Sequence, residues 1–401
     1  MIEATVSRLI LIVTIATVGA SPAIAGSREQ ARQLINTLTG VPPSSPQYLS
    51  DIADLIDKNK PKEAAQKIIK DNRQFYTVTL KNFFTPWTNR DHTAQAELND
   101  WTATMMGIVR DDLPFRYILT EDILYLATGT ITGPNLDRLR LKDGTEVQKY
   151  FNANNNHHRE IEQKGVDITN PELFSKQSQM PDLWRTVDPI AGVMSTRQFA
   201  ETYYQAGTNR RPIYFLVETM LCSALDKMND TTRADFHVRR DVDRAPGGDS
   251  NGYKSSCVGC HAGMDGLMGA FAYYDFHDAR AFHVIGEPSA DSKVNHNNMY
   301  SPGFITTSDH WIQLWHEGPN ASFGWPQVTS GNGAKELGDM IAKTKAFSQC
   351  MAKRVFTHIC AHPPERSAEM KFVKAAAAAF DENNTNMKQL FVDTSVACMG
   401  E

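Results

Sequence analysis

Cys257 and Cys260 stand three positions apart and His261 follows at once, in the run Cys257-Val258-Gly259-Cys260-His261. Two thiols at that spacing on one helical turn can form thioethers to two vinyl groups of a single porphyrin. The imidazole beside them is then held against the iron, and C-x-x-C-H is the attachment pattern of c-type haem. Competing chemistries want more than the sequence offers. Structural zinc needs four ligands, and beyond the motif only His358 and His362 share a useful spacing, at a late helix end. A thioredoxin-like redox pair needs a βαβ setting, and a Cys257–Cys260 disulfide would close a very small loop. The spacing predicts one covalent haem c, bound by Cys257, Cys260 and His261, with His261 as proximal iron ligand.

A low-spin electron carrier adds a second axial ligand, Met or His. Met299, in Asn297-Asn298-Met299-Tyr300-Ser301-Pro302, lies on a loop 38 positions after His261 and is the expected sixth ligand. Met268, His277, His283, His296, His310 and His316 are the alternatives, and an open sixth position would favour catalysis or ligand binding instead. Met264, Leu267, Met268, Phe271, Tyr273, Tyr274 and Phe276 follow the motif closely and read either as a haem pocket or as plain core. Arg210-Arg211 and Arg239-Arg240 are candidate partners for haem propionates, because Arg binds carboxylates bidentately. Trp311, Trp315, Trp325 and Phe323 would cover a haem edge or pack a loop. His157-His158 sits in an Asn-rich segment, where adjacent histidines are expected at the surface. No P-loop or H-E-x-x-H motif is present.

The N-terminus bears on where such a haem could be attached. Arg8 precedes an apolar run from Leu9 to Val18, then Gly19, Pro22 and the small-x-small sequence Ala23-Ile24-Ala25. This is the layout of a secretory signal cleaved after Ala25, and the run is too short for a bilayer, which takes about 20 apolar residues. No later stretch is apolar enough to span one, so the expected product is a periplasmic or secreted protein with no transmembrane anchor. The four cysteines outside the motif, Cys222, Cys350, Cys360 and Cys398, would then pair. Cys350 and Cys360 share one helix, about 15 Å apart at 1.5 Å per residue, too far to bridge. That leaves Cys222–Cys350 with Cys360–Cys398, the favoured set, or Cys222–Cys360 with Cys350–Cys398.

The elements that must position these groups read as helices. Capping and periodicity place them at Ser27 to Gly40, from Ser45-Pro46 to Asp57, from Pro61 onward, and over 93–110, 114–128, 143–163, 195–206 and 209–225. Mixed charges and turn residues make 230–254 a loop or linker, and 284–334 is irregular. Helices resume at 335–346, 347–361, 366–381 and 386–396. The predicted class is mostly α, with a signal peptide over 1–25, an N-terminal helical domain over 26–190, a helical pair and linker over 191–250, a haem-binding segment over 251–334 and a C-terminal helical region over 335–401.

The stretch Cys257 to Asp275, CVGCHAGMDGLMGAFAYYD, resembles the C-x-x-C-H-x-x-M-D-P-x-G-F-A-L-E-x-F-D segment of planctomycete-type secreted cytochrome c proteins. Gly192 to Thr196, Thr208 to Pro212, Leu221-Cys222, Phe347 to Cys350 and Leu38 to Pro43 resemble other parts of those chains. The sequence departs from the pattern at Gly266, where Pro is common. The resemblance implies a haem and an exported, largely helical architecture, and no reaction.

With 401 residues, 41 Lys+Arg against 46 Asp+Glu and a net charge of −5, nucleic acid is not an expected partner. The function expected is single-electron transfer by an exported monohaem c-type cytochrome to a redox partner protein. The alternatives are an exported haem oxidoreductase, peroxidase-like or substrate-oxidising, with an open or labile sixth position, and an envelope assembly protein in which haem is structural.

Overall fold

The computed structural model describes residues 26–179, 190–205, 209–233, 253–283 and 308–400. The protein is mostly α: among the described residues 56% is helical and the strands form only two- and three-stranded ribbons.

Local chemistry sets the first helices. Helix α1 (Ser27–Thr39) stops at Gly40, which adopts the left-handed conformation that lets its N–H return to Asn36 O. In α2 (Pro46–Asp57) the Ser45 side chain accepts from Tyr48 N and Pro46 fills the first turn. Helix α3 (Pro61–Asp71) also opens on proline. A chain of π, α and 3-10 turns, including α4 (Lys81–Phe84), runs from Phe75 to Thr88. It leads to α5 (Asp100–Arg110), capped by Asn99 and buried from Asp100 to Val109. A helix buried on every face belongs at the centre of the molecule, and α5 lies there.

Between α5 and the next long helix the expected helices over 114–128 and 143–163 give way to strands. β1 (Leu124–Ala127) pairs antiparallel with β5 (Phe174–Gln177), Leu124 opposite Gln177. β2 (Gly129–Thr132), β3 (Arg138–Leu141) and β4 (Glu146–Gln148) form a meander, and what remains helical is a 3-10 turn, Phe115–Leu119, and α6 (Asn156–Gln163). All four residues of β1 are buried, so the strand carries no period-two signature to distinguish it from a buried helix.

His157 and His158, expected at the surface, are buried in α6. His157 donates from Nδ1 to Gln148 O at 2.5 Å and accepts at Nε2 from Ala127 N at 3.0 Å, while His158 Nε2 donates to Tyr125 O at 3.0 Å. They join α6 to β1 and to the end of β4, which is why a polar-looking pair goes inside. Burial holds both neutral, with His157 pushed down to about 3 and His158 to about 4.

Helix α7 (Arg197–Tyr203) is capped twice. Thr196 accepts from Phe199 N, and the buried Asp100 carboxylate, on another helix, accepts from Arg197 N, Gln198 N and the Tyr150 hydroxyl. α8 (Arg210–Phe215) follows and widens into a π turn, Leu216–Met220. Helix α9 (Val258–Leu267) carries the cysteine motif and continues as a 3-10 turn, Met268–Phe271, into the hairpin β6 (Tyr274–His277) and β7 (Arg280–His283). β8 (His310–Ile312) pairs with β9 (Ser330–Asn332). Four helices close the chain: α10 (Gly333–Ala342), α11 (Lys345–Cys360), α12 (Ser367–Glu382) and α13 (Met387–Ala397).

Cys350 and Cys360 lie on α11 as expected, and each bonds elsewhere: Cys222–Cys350 with Cα atoms 5.1 Å apart, and Cys360–Cys398 at 5.6 Å. The last turn also meets the first helix, where Gln33 Nε2 donates to Cys398 O at 2.7 Å. One hydrophobic cluster runs from Ala31 in α1 to Val392 in α13 and takes in Met264, Leu267 and Phe271 of the motif region. Among the described residues no helix is long and apolar enough to cross a membrane.

Candidate haem-attachment site

Successive residues of an α-helix are ~100° apart around its axis. On α9 and the turn before it, Cys257, Cys260 and His261 therefore fall within an arc of ~100°, with Met264 inside it, while Gly259, Gly263 and Gly266 fall on the opposite side. Burial follows that division only in the first turn, since Met264, inside the arc, is buried. Cys257, Val258, Cys260 and His261 keep accessible surface; Gly259 and everything from Ala262 to Leu267 is buried.

The glycine side is where the rest of the protein grips the helix. A Cβ on Gly263 would collide with the Trp315 indole, and one on Gly259 with the Asn229 carboxamide. Trp315 is fully buried and stacks on Trp325 at 6.3 Å, which meets Phe323 at 5.9 Å. Trp325 Nε1 donates to Asn320 O, Asn320 Nδ2 donates to Met228 O, and Asp230 N donates to Gly259 O at 2.7 Å, closing the support back onto α9. This aromatic group packs behind the helix, on the side away from His261. Trp311 is anchored separately, Nε1 to Gly333 O at 3.1 Å.

The flank of α9 is fixed by an ion pair. Arg210 Nε and Nη2 donate to the two Asp265 oxygens at 2.7 and 3.1 Å, and the Asp265 side chain is only 3% exposed. Bidentate geometry in a buried setting makes this a strong, directional contact between α8 and α9. Arg210, expected to meet a haem propionate, is thus committed to Asp265, and Arg211 donates to Gln205 O. Arg239 and Arg240 lie outside the described residues. Nothing in the sequence announces the Arg210–Asp265 pair, whose members lie 55 residues apart, whereas the glycine spacing that accepts Trp315 is a local pattern.

The apolar residues after the motif do not form an open pocket. Met264, Leu267, Phe271, Tyr274 and Phe276 lie in the main core, with Met268 and Tyr273 also buried. Tyr274 lies 5.3 Å from Tyr204 and 4.5 Å from His283 between ring centres.

The candidates for a second axial ligand are scattered. Met299 and His296 lie outside the described residues. Met268 is buried in the 3-10 turn and His283 is packed edge-on against Tyr274. His277 stacks on Phe282 at 3.8 Å, His310 Nδ1 lies 3.4 Å from Asn332 Oδ1, and His316 Nδ1 donates to Gln313 O at 2.6 Å. His358 packs against Phe83 and Phe391, apart from His362, which donates from Nδ1 to Pro363 O.

The donor set separates the chemistries. Cys257 and Cys260 are not bonded to each other. Burial pushes the Cys260 thiol up, and the Asp226 carboxylate and Cys257 push it further, opposite to the lowered pKa of a redox-active C-x-x-C cysteine. Among the described residues no group of three or more His, Cys, Asp or Glu converges to hold a metal ion, so a closed zinc cage is absent there. A porphyrin asks for less: two reachable thiols on one helical edge, an imidazole on the same edge and a firmly backed helix. Those residues fit it. Comparison with family models, with curated proteins and with solved structures returns no match to this chain.

Proposed function

We propose that the protein is an exported monohaem c-type cytochrome that passes single electrons to a redox partner protein, with one haem c joined to Cys257 and Cys260 and ligated by His261. The observation that supports the reading is the division of α9 into an accessible edge bearing both free thiols and the imidazole, and a glycine edge packed on Trp315 and Asn229. When bound, the haem supplies a reversible one-electron couple at iron, with a potential set by axial ligand, burial and hydrogen bonding.

The chain's own residues supply attachment and orientation. Cys257 and Cys260 fix the macrocycle along one edge of α9. Trp315 on one side and the Arg210–Asp265 pair on the other keep that helix from rotating or sliding, so His261 approaches from a constant direction. Met299 would supply the second protein ligand to the iron. Two disulfides accord with an oxidising compartment, and export fits the requirement that thioethers form outside the cytoplasm. The resemblance to planctomycete-type cytochrome proteins belongs to the same proposal.

The spectrum tests this function. A ferric protein with a far-red Met–iron charge-transfer band, lost in Met299→Ala, is the expected result. A high-spin ferric spectrum that shifts with cyanide or peroxide would replace electron transfer with an oxidoreductase having an open sixth position.

A further inference from the structure

Far from the motif in sequence, a cleft of about 740 Å³ opens between the Lys81–Thr88 turns, the end of the Leu216–Met220 turn and α11. That volume is the size of a small-molecule site. Its apolar wall is Phe83, Pro86 and Trp87; its polar wall includes Asn82, Glu218, Arg354 and His358.

Arg354 is the unusual member. Its guanidinium lies over the Trp87 ring, 5.1 Å from the centroid, and is held by two carbonyls: Nε donates to Thr219 O at 3.1 Å and Nη2 to Glu218 O at 3.0 Å. Among the described residues it makes no ion pair and Nη1 makes no hydrogen bond. A sheltered cation normally meets an anion, because removing charge from water without one is costly. Burial already pulls this guanidinium down to about 10. The Glu218 carboxylate, which lines the cleft and acts on Arg354 through its charge, forms no ion pair with it and is engaged by the Tyr214 hydroxyl. His358, one helical turn beyond Arg354, is kept neutral by burial, and the exposed Lys353 adds positive charge at the rim.

We infer that this cleft binds a small aromatic carboxylate, the carboxylate received by Arg354 and the ring by Phe83 and Trp87. Arg's planar fork suits a carboxylate, and three of its five N–H donors, both on Nη1 among them, remain unspent after the carbonyl contacts. The Cys222–Cys350 disulfide borders the cleft through Cys222 and holds its wall to α11. This inference is independent of the haem: it involves none of the motif residues.

Isothermal titration of the full chain with benzoate and with benzamide, its uncharged counterpart, tests the site. Benzoate should bind at least about tenfold more tightly, a charge-assisted contact being roughly twice as strong as a neutral one. Arg354→Gln should abolish the preference. Because Arg354 also braces two carbonyls, the exposed rim variant Ala224→Glu gives a second reading: it should weaken benzoate several-fold and leave benzamide unchanged. Equal affinity of the native protein for both compounds, or no benzoate binding at about 10 mM, would overturn the inference. So would an Ala224→Glu protein that binds benzoate as the native one does.

Discussion

At the scale of single residues, the site depends on which side chains stay accessible and which are buried. Cys257, Cys260 and His261 keep an accessible edge, while Asp265, one turn beyond His261, is spent on Arg210. Cys257→Ala should leave a haem joined through Cys260 alone, so the reduced haemochrome band should move to that of a single-thioether haem. An unchanged band would remove Cys257 from the attachment. Arg210→Met tests the flank. It strips a buried carboxylate of its bidentate partner, and equilibrium urea unfolding should show a loss of about 3 kcal/mol. A change near zero would mean the pair does not hold α8 to α9. The motif was readable because its chemistry is local, five consecutive residues. The Arg210–Asp265 pair was not, since 55 residues separate its members and only the fold brings them together.

At the scale of elements, helices with their own start and stop signals were legible. Ser45-Pro46, Pro61 and Gly40 mark boundaries that the structure keeps, and α10 to α13 fall close to where periodicity puts them. The strands were not legible. β1 is buried on both faces and pairs with β5 some 50 residues later, so neither alternation nor a nearby turn announces it. Gly263 tests the packing of α9: Gly263→Val drives a branched side chain into Trp315, and overpacking of this kind costs about 1–3 kcal/mol, read as a lowered thermal midpoint. His157 and His158 make the α6–β1 junction pH-sensitive. Their folded-state values, about 3 and about 4, lie below the ordinary value of about 6.5, so the unfolded chain binds more protons. Stability from these sites is complete above pH about 6.5 and falls as pH drops toward 4, by up to about two protons' worth of slope. Unfolding free energies across pH 4 to 7 should show that decline. A flat profile would mean the imidazoles are not held neutral.

At the scale of the whole molecule, the first and last helices, α1 and α13, are tied to one core. Cys360–Cys398 joins the end of α11 to the end of α13, and Gln33 fastens α1 to the same place. Replacing Cys360 and Cys398 with serine should cost about 2–4 kcal/mol in urea unfolding, with the haem spectrum unchanged because the bridge does not touch α9. Everything functional rests on a porphyrin tethered to α9, and one measurement bears on that most directly: a pyridine haemochrome assay on denatured protein made in cells with a working maturation pathway. The account predicts one haem per chain that stays with the polypeptide through acid–acetone extraction. Protein without Soret absorbance, or haem that extracts into solvent, would contradict it.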